Sequence, residues 1–189
     1  NNIIVDPSTF PNAGYVALVN CVNVTVRDLH LTRNREGVLF AHTINSTIEN
    51  VTVSSTQYGL HLFDSHNNII RNNLISDNWW GAILWYETPW FYPPGSSNNK
   101  IYHNNFVSNS QYQASSRYAT NWWDDGYPSG GNYWSDYIGV DKYYGVNQNL
   151  LGSDGIGDTR YIVLPLHLHG VEDRYPFMKP LHLPPQIAK

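Results

Sequence analysis

Charge is what this sequence has least of. Only 14% of its 189 residues are Asp, Glu, Lys or Arg, and the net charge is −4. With an isoelectric point near 6.0 there is no basic field to hold a phosphate backbone, which argues against a nucleic-acid partner. Cysteine occurs once, at Cys21, so no intrachain disulfide framework can form, and the lone thiol is expected to be buried. No run of 18 apolar residues exists and no basic-plus-apolar leader opens the chain, so no transmembrane segment is expected. Lysine and alanine are scarce while asparagine, tyrosine, tryptophan, glycine and serine abound. That composition suits stacked turns and strands better than helices. The length fits one continuous body, and a first residue of Asn1 rather than Met reads as a processed, excised or trimmed chain.

What is present is a repeat. Gly37, Gly59 and Gly81 are 22 residues apart. The same step links Asn1, Asn23, Asn45 and Asn67, and a 31-residue step then reaches Asn98, which implies a nine-residue insertion near 86–97. Apolar columns follow the frame: Ile4, Val26, Ile48, Ile70 and Ile101; Leu31, Val53, Ile75 and Phe106; Leu18, Phe40, Leu62 and Leu84. Within each repeat the apolar residues alternate with period two, as in Val16/Leu18, Val38/Phe40 and Leu60/Leu62, which specifies short strands rather than a helix. The sequence therefore predicts an all-β, right-handed, single-stranded parallel β-helix of about five coils, over 1–112. The remainder, 113–189, is expected to form a loop-rich aromatic C-terminal cap that protects the last coil.

Stacking places like over like, so the Asn1/23/45/67/98 column is expected to form an inward side-chain ladder. On that reading the sequons Asn23-Val-Thr and Asn45-Ser-Thr would be inaccessible. The third, Asn50-Val-Thr, belongs to a turn column with Asp28 and Asn72, where an asparagine can be exposed. Arg27, Glu49 and Arg71 form a surface column of alternating sign. Asn1 and Ile4 are in register with Asn23 and Val26, so the first coil is expected to be open to further coils or to a neighbouring subunit.

Beside the insertion, Trp79, Trp80, Trp85, Tyr86, Trp90 and Tyr92 are candidate ligand-binding residues, because sugar rings present apolar faces that stack on aromatic side chains. The outward column Ala41, Phe63 and Trp85 either extends that platform or is covered by the C-terminal region. In the tail, Asp154-Gly-Ile-Gly-Asp158 with Asp141 gathers carboxylates around glycines, a pattern that can turn oxygens toward a structural Ca2+ or can simply cap turns. It lacks the bidentate glutamate of an EF-hand. Copper is not expected from the residues, since His167 and His169 are the only closely spaced histidine pair and Met178 the only thioether.

The segments Asn67-Asn-Ile-Ile-Arg-Asn-Asn73 and Asn98-Asn-Lys-Ile-Tyr-His-Asn-Asn-Phe106, with the tail motifs GNYWSDY, DGIGDTRY and DRYPFMKPL, resemble the NosD-like family of parallel β-helix proteins. The resemblance implies a secreted, periplasmic or cell-surface protein, often archaeal. Family members are described as carbohydrate-binding or sugar-hydrolysis-type β-helices, and the namesake serves copper delivery.

Three functions stay open on the sequence. The first is a non-enzymatic extracellular or cell-surface module that binds glycans or serves as a scaffold. The second is a polysaccharide hydrolase or lyase, for which Asp64, Asp77, Asp124, Asp125 and Asp136, with Arg71 or Arg117, are the candidate groups. The third is a self-assembling filament or surface-layer subunit. Carboxylates scattered through cap turns favour a non-enzymatic role, and no catalytic residue is assigned.

Overall fold

The structure is a computed structural model; it describes residues 3–10, 13–85, 95–117, 119–163 and 171–184. Three five-stranded sheets, parallel throughout, run along the molecule. The first contains Ile3–Val5, Val24–Arg27, Thr47–Glu49, Ile69–Arg71 and Lys100–Tyr102; the second His30–Thr32, Thr52–Ser54, Leu74–Ser76, Asn105–Val107 and Tyr133–Trp134; the third Val16–Val19, Glu36–Ala41, Tyr58–Phe63, Trp80–Ile83 and Tyr112–Ser115. Each strand pairs with the strand one coil away, as in Ile48↔Ile70 and Val53↔Ile75. The fold is thus the parallel β-helix expected from the repeat.

The apolar columns form its core. Val26, Leu31, Phe40, Ile48, Val53, Leu62, Ile75 and Phe106 are all fully buried. The Leu31 column continues past Phe106, whose ring stacks on Trp134 at 4.5 Å, and Trp134 in turn stacks on Tyr161 at 4.2 Å. The glycine column is required by close approach: a Cβ added to Gly59 would sit 2.5 Å from the Gly81 carbonyl oxygen.

Several details differ from the sequence expectation. In the first coil Val5, not Ile4, lies opposite Val26, while Ile4 pairs with Thr25 and is exposed. The first step of this sheet is therefore 21 residues, and the one-residue shift exchanges the faces of the strand. The second concerns the asparagines. Asn23, Asn45, Asn67 and Asn98 do not point inward; they are exposed, with φ between 52° and 58°. Each turns a corner in the left-handed region, which asparagine tolerates better than most residues.

The interior ladder belongs to the next residue along. Ser46 Oγ accepts from Val24 N–H, Asn68 Oδ1 from Ser46 N–H, Asn99 Oδ1 from Asn68 N–H and Asn121 Oδ1 from Asn99 N–H. A second ladder runs Asn73, Asn104, Asn132, and a third Asn78, Asn109. Each carboxamide also donates to a carbonyl in the coil behind, as Asn73 Nδ2 does to Ile48 O at 3.0 Å, so a fully buried amide is satisfied on both sides. The doublets Asn67-Asn68, Asn72-Asn73 and Asn98-Asn99 each combine a corner residue with a ladder residue. Coil stacking runs past residue 112: Asn121 still follows Asn99 at the 22-residue step, and Asn132 keeps its rung after a step of 28 residues from Asn104.

The segment after residue 135 packs through two short antiparallel pairs, Tyr143–Tyr144 with Leu150–Leu151 and Tyr161–Ile162 with Glu172–Asp173. Its polar anchors are charged. Asp124 accepts Arg174 Nε at 2.9 Å and Nη2 at 2.6 Å. Burial opposes ionisation of Asp124, but the Arg174 guanidinium and two backbone N–H groups hold its carboxyl below the usual range. Cys21 is half-buried rather than enclosed, since it occupies a corner next to the left-handed Asn20.

Candidate functional site

The outer face of the third sheet holds the most elaborate group of side chains. In-register pairing stacks Glu36, Tyr58, Trp80 and Tyr112 in one half-exposed column; the period-two alternation is broken just after it, where two consecutive residues, such as Gly37 and Val38, are both buried. The next outward column reads Leu39, His61, Ile83 and Ser115, and the third Ala41, Phe63 and Trp85. In-register stacking turns these columns into an aromatic strip along the molecule.

Arg35, Glu36, Tyr58, His61, Trp80, Ile83 and Trp85 line a groove of about 300 Å³ in this face. Trp80 lies 5.0 Å from the Tyr112 ring and meets Trp85 edge-on at 6.3 Å. The Tyr58 ring is 5.2 Å from that of His61. His61 Nδ1 stands 3.4 Å from Glu36 Oε2, and both side chains are largely buried. Trp85 is fixed by its indole N–H, which donates to Ser115 Oγ at 2.8 Å, and its face is covered by the Arg117 guanidinium at 4.0 Å. The residues left for a ligand are therefore Tyr58 and Trp80, both half-exposed, above a floor of Glu36 and His61. An apolar-walled cleft with a few convergent polar groups is the usual form of a small-molecule or sugar site.

The groove joins two of the candidates named from sequence, Trp80 and Trp85, and leaves out a third. Trp79 is 53% exposed at the corner before the strand and does not line the groove. Tyr86, Trp90 and Tyr92 lie outside the described residues, as do His167 and His169. Glu36, Tyr58, His61 and Arg35 were not singled out from sequence: the 22-residue step does align Glu36 and Tyr58 with Trp80, but strict alternation from Val38 and Leu60 would place them inside, and it is the break at the buried Gly37 and Gly59 that turns them outward.

A larger hollow, about 480 Å³, lies beside the first coil between Val5, Phe10, Tyr15 and Leu18. Among the described residues its lining contains no carboxylate, imidazole or guanidinium, only the hydroxyls of Thr9 and Tyr15, and the smaller groove is the better site for a polar ligand.

The tail carboxylates are spent on turns. Asp141 accepts the N–H groups of Asp154 and Gly155, Asp158 those of Lys142 and Tyr143, and Asp154 that of Ile156. The structure does not bring Asp141, Asp154 and Asp158 to one point. Among the described residues no group of three or more His, Cys, Asp or Glu is arranged to hold a metal ion.

The profile of the family described as periplasmic copper-binding protein (NosD) matches residues 1–139. The chain belongs to the NosD family. No curated protein and no solved structure matches it significantly. The family description is periplasmic, and among the described residues no helix is long and apolar enough to cross a membrane.

The copper in the NosD family description can be tested against the donors present. Among the described residues, the imidazole-rich corner is His42, Asp64 and His66. His42 Nδ1 lies 2.8 Å from one Asp64 oxygen and His66 Nε2 lies 3.0 Å from the other, while His66 Nδ1 meets Ser97 Oγ at 2.8 Å. Burial opposes ionisation of Asp64, but these two histidines lower its pKa. The rings bind opposite sides of a carboxylate and do not converge on a common point. The described residues of this NosD member do not fit a copper site.

Proposed function

We propose that the protein is an extracellular or cell-surface β-helix module of the NosD family that binds glycans along the third sheet without cleaving them. The observation that carries this reading is the Tyr58–Trp80–Tyr112 column above the Glu36–His61 pair. Half-exposed aromatic rings repeated at coil spacing, about 4.8 Å, offer apolar surface to consecutive parts of a sugar chain, and the pair beneath offers hydrogen-bonding groups to hydroxyls. Hydrolysis by the usual route needs two carboxylates flanking the bond, roughly 5–9 Å apart. Among the described residues, Glu36 is the only carboxylate lining the groove. Asp124 and Asp125, adjacent in sequence, are tied to Arg174 and Lys100.

Co-sedimentation of the purified chain with insoluble polysaccharides, followed by chromatography of the soluble fraction, tests both halves. The expected result is binding that Trp80→Ala removes, with no released oligosaccharide. Released product would replace the binding role with an enzymatic one, and absence of binding to every polymer would remove the recognition reading.

A further inference from the structure

The three N-x-Thr sequons of the chain begin at Asn23, Asn45 and Asn50. We propose that Asn23 and Asn45 carry N-linked glycans and that Asn50 does not. Attachment puts a sugar on Nδ2, so the acceptor amide has to face open solvent in the folded chain and must not already be holding the structure together.

Asn23 and Asn45 meet both conditions. Both are exposed at the corner that leads into the first sheet, with φ of 58° and 52°. Their positions are fixed by the main chain, since Asn23 N–H donates to Ile44 O and Asn45 N–H to His66 O. Neither side-chain amide makes a hydrogen bond among the described residues. The interior bond at this corner is made by the following residue, Ser46 in the second case, so a sugar on Nδ2 displaces nothing. Asn50 is half-buried, and its Nδ2 donates to Asp28 Oδ1 at 2.6 Å; a sugar there would break that contact and press on the coil below.

The chemistry is a transfer from an oligosaccharide linked through phosphate to a carrier lipid. The bond between Nδ2 and the sugar C1 forms as the bond between C1 and the carrier phosphate oxygen breaks. The amide gives up one proton and the carrier leaves as its phosphate. The two later members of the corner column, Asn67 and Asn98, are followed two residues on by Ile69 and Lys100. Sugars are therefore confined to the first coils, away from Trp80. The inference rests on export, the location included in the proposed function, and is independent of what the groove binds.

Glycopeptide mass spectrometry of the full chain recovered from its own cells, with the cell fractions kept apart, is the test. The expected result is sugar on the Asn23 and Asn45 peptides and the bare mass for the Asn50 peptide. Thr25→Val and Thr47→Val, which keep the β-branched strand residue and the corner asparagine, should each abolish modification at the matching site alone. Exported protein with Asn23 or Asn45 bare, or with sugar on Asn50, overturns the assignment while leaving the export reading intact. Protein confined to the cytoplasm overturns both.

Discussion

The coils and the segment after residue 135 solve one problem in two ways. Both have buried backbone N–H groups to satisfy. Within the coils a neutral side chain does it, an asparagine carboxamide or a serine hydroxyl, with every rung accepting from the coil before. At the end of the Asn73–Asn104–Asn132 ladder there is no further asparagine, and Asn132 N–H is accepted instead by Asp173 Oδ2 at 2.6 Å. The same oxygen accepts the Trp134 indole N–H, and Oδ1 accepts Tyr175 N–H. A carboxylate can take three donors because it has no N–H of its own to misplace. Repetition lets a neutral group serve all along the stack, whereas the last rung uses a titratable carboxyl in a fully buried place.

Breaking the repeat should cost most. Gly59→Ala drives a Cβ into the neighbouring coil and is expected to lose about 4 kcal/mol or to prevent folding; a loss under about 1 kcal/mol in urea unfolding would mean that the coils are looser than described. Asn73→Leu removes the acceptor of Val51 N–H at 2.8 Å and the donor to Ile48 O, for an expected loss of about 3 kcal/mol. Asp173→Asn turns an amide N–H toward one of three donors and should cost about 2 kcal/mol. If it proved neutral, the last rung would be no different from the others.

The comparison sharpens with pH. Burial raises the Asp173 carboxyl to about 7, against the N–H donors that favour its ionised form. The folded state then holds a proton that the unfolded state has released, between the ordinary value of 3.8 and about 7. Stability from this group falls as pH rises through that window. Asp124 and Asp64, with lowered values, act in the opposite sense, and their contributions are lost only as pH falls below the ordinary carboxylate range. Thermal unfolding from pH 4 to 8 should show a decline in the native chain that Asp173→Asn flattens. An equal slope in both proteins would assign the decline elsewhere. The smallest effect is expected outside both regions, where Arg71 pairs with Glu49 at 2.8 Å on the half-exposed first sheet: Arg71→Ala should change stability by about 0.5 kcal/mol or less.

The same contrast explains what was legible in the sequence. A 22-residue step exposes any position whose task recurs, so the apolar columns, the glycine column and the strand alternation could be read directly. It could not separate neighbouring asparagines with different tasks. Asn67 and Asn68 recur together, and only φ distinguishes the corner from the rung. Single-use contacts such as Asp173 to Asn132 and Arg174 to Asp124 have no period and left no trace. In the groove, Trp80 and Trp85 stood out as large aromatics, but Glu36 and His61 meet diagonally across two columns and two coils. The covering of Trp85 by Arg117 depends on a side chain beyond the regular repeat.

The central claim is that recognition lies on the outer face of the third sheet and not wherever a tryptophan is exposed. A glycan array read in parallel for the native chain, Trp80→Ala and Trp79→Ala tests it most directly, with thermal unfolding to confirm that all three are folded. The prediction is that signals on the bound glycans fall at least about tenfold, or 1.4 kcal/mol, in Trp80→Ala and stay at the native level in Trp79→Ala. Retained binding in Trp80→Ala with loss in Trp79→Ala would contradict it.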